Sequence, residues 1–132
     1  MAKDARSLKA WQLADALAVM VYRVTNTFPR VELYGLTIQM RRAAVSVPAN
    51  ITEGAARKGQ HEFLQFLYIA SSSLSELGYY IHLSDRLGYL TEEDRRQLTS
   101  LHKEAARTLQ GLISKVEQDL GEGKPKHRRD EP

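Results

Sequence analysis

The chain has 132 residues and a mass of 15.0 kDa, enough for one domain to bury a core without staples. It has no cysteine, which excludes disulfides and thiol chemistry, and its charged start lacks the apolar stretch of a secretory signal. No apolar run approaches the roughly 20 residues that span a bilayer, so the expectation is a cytoplasmic protein with no membrane partner.

Four segments carry helical periodicity, after a flexible start expected over 1–7. The first runs from about 8 to 28 and repeats apolar residues at Trp11, Ala14, Leu17, Ala18, Val21, Val24 and Phe28. Phe28-Pro29 ends it, because a residue before proline is pushed out of the α region, and a loop follows to Gly35. The second, about 36 to 58, buries Leu36, Met40, Ala43 or Ala44, Val47, Ile51 and Ala55. Pro48 lies inside it and predicts a kink or local irregularity. The third, about 60 to 87, follows Gly59. Its core stripe is Phe63, Phe66, Leu67, Ala70, Leu74, Leu77, Ile81 and Leu87, while Leu64, Tyr68, Ile69, Tyr80 and Leu83 fall outside that stripe. Apolar residues on a second face predict burial on a second side, by a central position or by self-association. The fourth, about 91 to 120, opens on Thr91-Glu92-Glu93-Asp94, a capping-box-like start, and repeats Leu98, Leu101, Ala105, Leu109, Leu112, Val116 and Leu120. The tail 121–132 has no apolar residue to bury and is expected to be disordered. Short connections make neighbouring helices antiparallel, so the fold expected is an all-α, up-down-up-down antiparallel four-helix bundle.

If Gly59 is the turn between the second and third helices, facing residues have numbers summing to about 118. Arg42 then faces Glu76, Ser46 faces Ser72 or Ser73, Asn50 faces Tyr68, and Glu53 faces Gln65. These residues make a candidate structural polar network: Arg42, Glu76, Ser46, Ser73, Asn50 and Glu53. Arg42–Glu76 is expected to be an interhelical ion pair, with an anion contact by Arg42 as the rival reading.

The run Tyr34-Gly35-Leu36, Gln39-Met40-Arg41-Arg42-Ala43-Ala44 and Ser46-Val47-Pro48-Ala49-Asn50-Ile51-Thr52-Glu53-Gly54 follows one pattern, which Glu62-Phe63, Phe66-Leu67, Ile69-Ala70, Ser73-Leu74 and Glu76-Leu77 continue. Over about residues 8–120 the chain resembles the four-helix bundle family of bacterial proteins encoded in 23S ribosomal RNA intervening sequences. That family is similar to the accessory variability determinant of diversity-generating retroelements. Ser72 and Tyr79 stand where relatives often have glycine and threonine. The resemblance implies a homo-oligomer, a five-fold barrel with a basic surface in known relatives, and no enzymatic activity. For the retroelement relative it implies work with a reverse transcriptase and RNA.

Residue chemistry gives no catalytic or metal site. His61-Glu62 begins like a zincin motif, but Gln65 occupies the place of its second histidine. Ser71, Ser72 and Ser73 lie inside a helix, where small residues at a helix contact explain them better than a nucleophile. Asn50 and Glu53 could do acid–base work, though a structural network accounts for both more simply. No cofactor is expected. Positive charge is uneven: residues 1–60 hold nine Lys/Arg against four Asp/Glu, and residues 61–120 hold six against nine, within a net +3. This asymmetry suits an anionic partner, or else two halves that pair with each other. Candidate nucleic-acid contacts are Lys9, Arg23, Arg30, Arg41, Arg57 and Lys58, with Lys124, Lys126, Arg128 and Arg129 in the tail. Arg57 also has Glu53 four residues before it, and Lys58 suits a helix C-terminus. Arg41 has no evident intrachain mate and is the first choice for a phosphate. The expectation is a non-enzymatic homo-oligomer, a pentamer by the resemblance. It would bind RNA or DNA through backbone phosphates with little sequence preference. The alternative is an oligomeric scaffold that binds another protein.

Overall fold

The computed structural model describes residues 4–122, and those residues contain helices and turns but no strand. The four helices are α1 (Lys9–Thr25), α2 (Ile38–Ala55), α3 (Gln60–Arg86) and α4 (Glu92–Glu122). Named contacts give their directions. Trp11 Nε1 donates to Thr52 Oγ1 near the start of α1 and the end of α2, and Arg41 meets Thr25 at the opposite ends. Ser46 meets Ser73 between α2 and α3, and His102 of α4 meets Leu74 of α3, while Glu117 meets Tyr68. Successive helices are therefore antiparallel, and α4 also packs against α1, which closes the bundle.

The core is the stack of apolar stripes that the 3.6-residue period sets. Val21, Met40, Ile51, Leu67, Leu77 and Leu98 are wholly buried, and the whole predicted stripe of α2 lies inside. Ile113, which the fourth-helix stripe omitted, is buried, whereas Leu87 is exposed past the end of α3. The proposed second apolar face of α3 is smaller than expected. Leu64 is buried in the subunit's own core, and Tyr80 and Leu83 pack against it, which leaves Tyr68 and Ile69 exposed.

Element ends differ from the sequence expectation where backbone groups find local partners. Asp4–Ser7, expected within a flexible start, form a capped turn of 3-10 helix. Asp4 Oδ1 accepts from the Arg6 N–H, the Ser7 hydroxyl donates to the Asp4 carbonyl, and Ala5 is buried. The expected loop up to Gly35 is mostly a 3-10 turn (Arg30–Glu32) followed by a π-helical turn (Leu33–Thr37). The break in helical geometry falls at Gly35, with φ −116° and ψ −112°, rather than at Pro48, which lies buried in an uninterrupted α2. Gly121 and Glu122, assigned to the tail, continue α4; the expected disorder of 123–132 and the tail cations lie outside the described residues.

Candidate nucleic-acid interface

The polar network between α2 and α3 forms only in part. Ser46 Oγ and Ser73 Oγ are 2.7 Å apart, and Asn50 Nδ2 donates to the Ser46 carbonyl at 2.8 Å and to its hydroxyl at 2.9 Å. Arg42 and Glu76 do not pair: both are exposed, and Glu76 instead accepts from the Tyr80 hydroxyl at 2.6 Å, one turn along its own helix. Asn50 does not meet Tyr68, which turns toward α4 and donates to Glu117. Glu53 leaves the network for Arg57 at 2.8 Å. The hairpin sum sets the height of a residue along the paired axes but not its angle around the helix, so the serines meet and the charged residues at similar heights do not. Arg42 is left without a carboxylate within 4.0 Å among the described residues.

The six candidate cations separate into two groups at opposite ends of the α1–α2 pair, about 24 Å apart along α2 at 1.5 Å per residue. At one end, Lys9 and Lys58 are exposed, and Arg57 is largely neutralised. Its guanidinium pairs with Glu53, lies 4.0 Å from Glu62, and rests over the Phe66 ring at 5.0 Å. A phosphate at Arg57 would have to compete with two carboxylates, whereas Lys9 and Lys58 have none within 4.0 Å among the described residues.

The other end is built differently. Arg41 does have intrachain partners, contrary to the sequence expectation, but none is charged. Its Nε donates to Thr25 Oγ1 at 2.8 Å, and its Nη2 donates to Asn26 Oδ1 at 3.1 Å and toward the Tyr22 carbonyl at 3.5 Å. The guanidinium carbon lies 4.7 Å from the centroid of the Tyr22 ring. Thr25 is held in turn by donating to the Val21 carbonyl at 2.7 Å. Arg41 thus occupies the C-terminal end of α1, where carbonyls lack intrahelical partners and the helix dipole favours a cation. Arg23 and Arg30 are exposed beside it. None of the three has a carboxylate within 4.0 Å among the described residues. The nearby Glu32 is committed elsewhere: its oxygens accept from the Leu36 N–H at 3.2 Å and from the Tyr89 hydroxyl at 2.8 Å. That hydrogen bond to a carboxylate, with burial and the negative charge adding to it, raises the Tyr89 pKa above its ordinary value. Arg41 stands between two shallow pockets, of about 380 and 340 Å³, one shared with Arg23 and one with Arg30.

The sequence profile of the 23S rRNA-intervening sequence proteins matches residues 6–111. The chain belongs to this family. A crystal structure of a protein of unknown function from the S23 ribosomal protein family of Bacteroides thetaiotaomicron has a similar fold. It shares 22% identity at a TM-score of 0.73, covering 79% of this chain and 97% of that one. At that identity the likeness carries the fold alone. No curated protein matches the chain. Neither the family description nor the neighbour's names a reaction. No described helix is long and apolar enough to cross a membrane, and no group of three or more metal-ligating side chains occurs among the described residues.

Sequence reasoning missed Tyr22, Thr25 and Asn26 as the partners of Arg41. One signal was available, since Tyr22 and Asn26 are four apart at the end of the first helical period and share a face. It also missed the contact of His102 with α3, where Nε2 lies 2.7 Å from the Leu74 carbonyl and the ring covers Gly78.

Proposed function

We propose that this family member is a non-enzymatic, self-associating protein that binds nucleic acid through backbone phosphates, with Arg23, Arg30 and Arg41 as its principal contacts. The observation that carries the reading is an oriented arginine between two more, whose partners among the described residues are all neutral. Phosphate binding needs clustered cations and no base-reading geometry. Self-association is supported by exposed apolar side chains on adjoining helices, Val45 on α2 and Ile69 and Tyr79 on α3. A ring of subunits, pentameric as the resemblance implies, would repeat the arginine cluster and let weak contacts act together.

Filter binding against RNA and duplex DNA, with sedimentation on the same samples, tests both parts. Retention that falls steeply with salt and a particle several times 15.0 kDa are expected. No retention at low salt removes the nucleic-acid reading. A stable 15.0 kDa particle removes the oligomer. The same exposed apolar side chains favour a second reading, an oligomeric scaffold for another protein. A partner that stays bound after nuclease treatment would support it.

A further inference from the structure

The arginine cluster has a feature that phosphate binding alone does not use. The pocket on the Arg23 side of Arg41 is lined by apolar Ala18 and Val19 and by Tyr22, which together make its apolar floor, besides Arg23, Asn26 and Arg41. Val19 and Tyr22 are each 44% exposed, although Arg41 lies over one face of the tyrosine ring. Phosphate oxygens want N–H donors and find nothing on such a floor. A duplex keeps its base faces stacked and its Watson–Crick edges paired, so it would reach the arginines and leave the pocket empty. An unpaired base is flat and apolar on its faces, and it stacks on aromatic rings and guanidinium planes.

The polar groups around the pocket are arranged to suit the same guest. Arg41 uses Nε and Nη2 within the chain, while its Nη1 has no partner among the described residues. Asn26 Oδ1 accepts from Arg41, which leaves the side-chain amide N–H groups of Asn26 without a partner among the described residues and available to an acceptor on a base edge. Arg23 and Arg30 stand on either side, where a chain passing over Arg41 would carry phosphates.

We infer that the pair of pockets sharing Arg41 receives an unpaired nucleotide of a single-stranded polynucleotide, its phosphate on the arginines and its base on the apolar floor beside Tyr22. This rests on the nucleic-acid reading above and narrows it to strands with free bases.

Fluorescence anisotropy on the full chain tests it with three labelled probes of equal length: a single strand, the same backbone without bases, and a duplex. The single strand should bind about tenfold or more tighter than the abasic strand, the size expected of stacking one base. It should also bind tighter than the duplex at the same salt. Tyr22→Leu should erase the preference for bases, Tyr22→Phe should keep it, and Arg41→Gln should weaken all three probes. Equal binding of the abasic and normal strands, or duplex binding as tight as the single strand, overturns the base pocket while the phosphate reading stands. If no probe binds at low salt, both fall. A base preference that survives in a folded Tyr22→Leu overturns the pocket, and should that variant fail to fold, loss of the preference in a folded Val19→Asp tests the same floor.

Discussion

Gly54 and Gly111 both lie within helices, yet an added methyl group has opposite consequences at the two. At Gly54 a Cβ would come 2.7 Å from the Phe66 Cβ and 3.2 Å from the Phe63 carbonyl, closer than α2 and α3 can tolerate without moving apart. At Gly111 nothing beyond the helix's own backbone lies within 4 Å among the described residues. Alanine gains roughly 0.5–1 kcal/mol over glycine in an open helix. Overpacking costs about 1–3 kcal/mol and outweighs that gain where the backbone is crowded. Gly54→Ala should therefore lower the melting temperature and Gly111→Ala should raise it slightly, as followed by circular dichroism. An unchanged or higher melting temperature for Gly54→Ala would mean the two helices are not held at this spacing. Gly78 resembles Gly54, because its Cβ would lie 2.9 Å from the His102 ring, but that ring can swing aside more easily than a backbone carbonyl.

At the level of elements, the segment between α1 and α2 decides where the cations stand. The turns Arg30–Glu32 and Leu33–Thr37 carry Arg30 and Leu33 to the pocket wall, and Glu32 fastens them by capping Leu36 and binding Tyr89 beyond the end of α3. Phe28 adds a ring contact to Tyr89 at 5.3 Å. Because the Tyr89 pKa is raised in the folded state, its contribution is intact below the ordinary tyrosine value of about 10 and is lost as pH climbs through the folded value. Tyr68 and Tyr80, also raised by their hydrogen bonds to Glu117 and Glu76, act in the same direction. Tyr89→Phe keeps the ring and removes the hydroxyl. It should melt lower at neutral pH and lose less stability than the unaltered protein between neutral pH and about pH 11. Parallel melting curves across that range would show that the Glu32 contact is inert.

For the molecule as a whole, the distribution of paired and unpaired cations matters more than the net charge of +3. Arg57 and Arg41 sit at opposite ends of α2. The first has two carboxylates close by, whereas the partners of the second among the described residues are neutral. If Arg23, Arg30 and Arg41 each hold a phosphate of a single strand, the logarithm of affinity should fall with the logarithm of salt concentration at a slope of about −2 per subunit, roughly 0.7 for each contact. Arg41→Gln should make that slope shallower by about 0.7. Arg57→Gln should leave it unchanged. Binding isotherms over a salt series check both, and a reversed order would move the interface to the other end of the bundle.

Helix number, helix order and the buried stripes were legible in the chain because an apolar residue every three or four positions must face a core wherever the helix is placed. The height of the α2–α3 pairing was legible too, since Gly59 sets where the hairpin turns and Ser46 and Ser73 then come level. What surrounds each side chain was decided only in three dimensions. Arg41 finds Thr25 and Asn26 across the α1–α2 pair, Tyr68 turns to α4, and Arg42 and Glu76 stay apart, because contact depends on the rotation of each helix about its own axis. A one-dimensional period fixes that rotation for the apolar face, which has a core to find. For the polar faces, tertiary packing must choose among several neighbours.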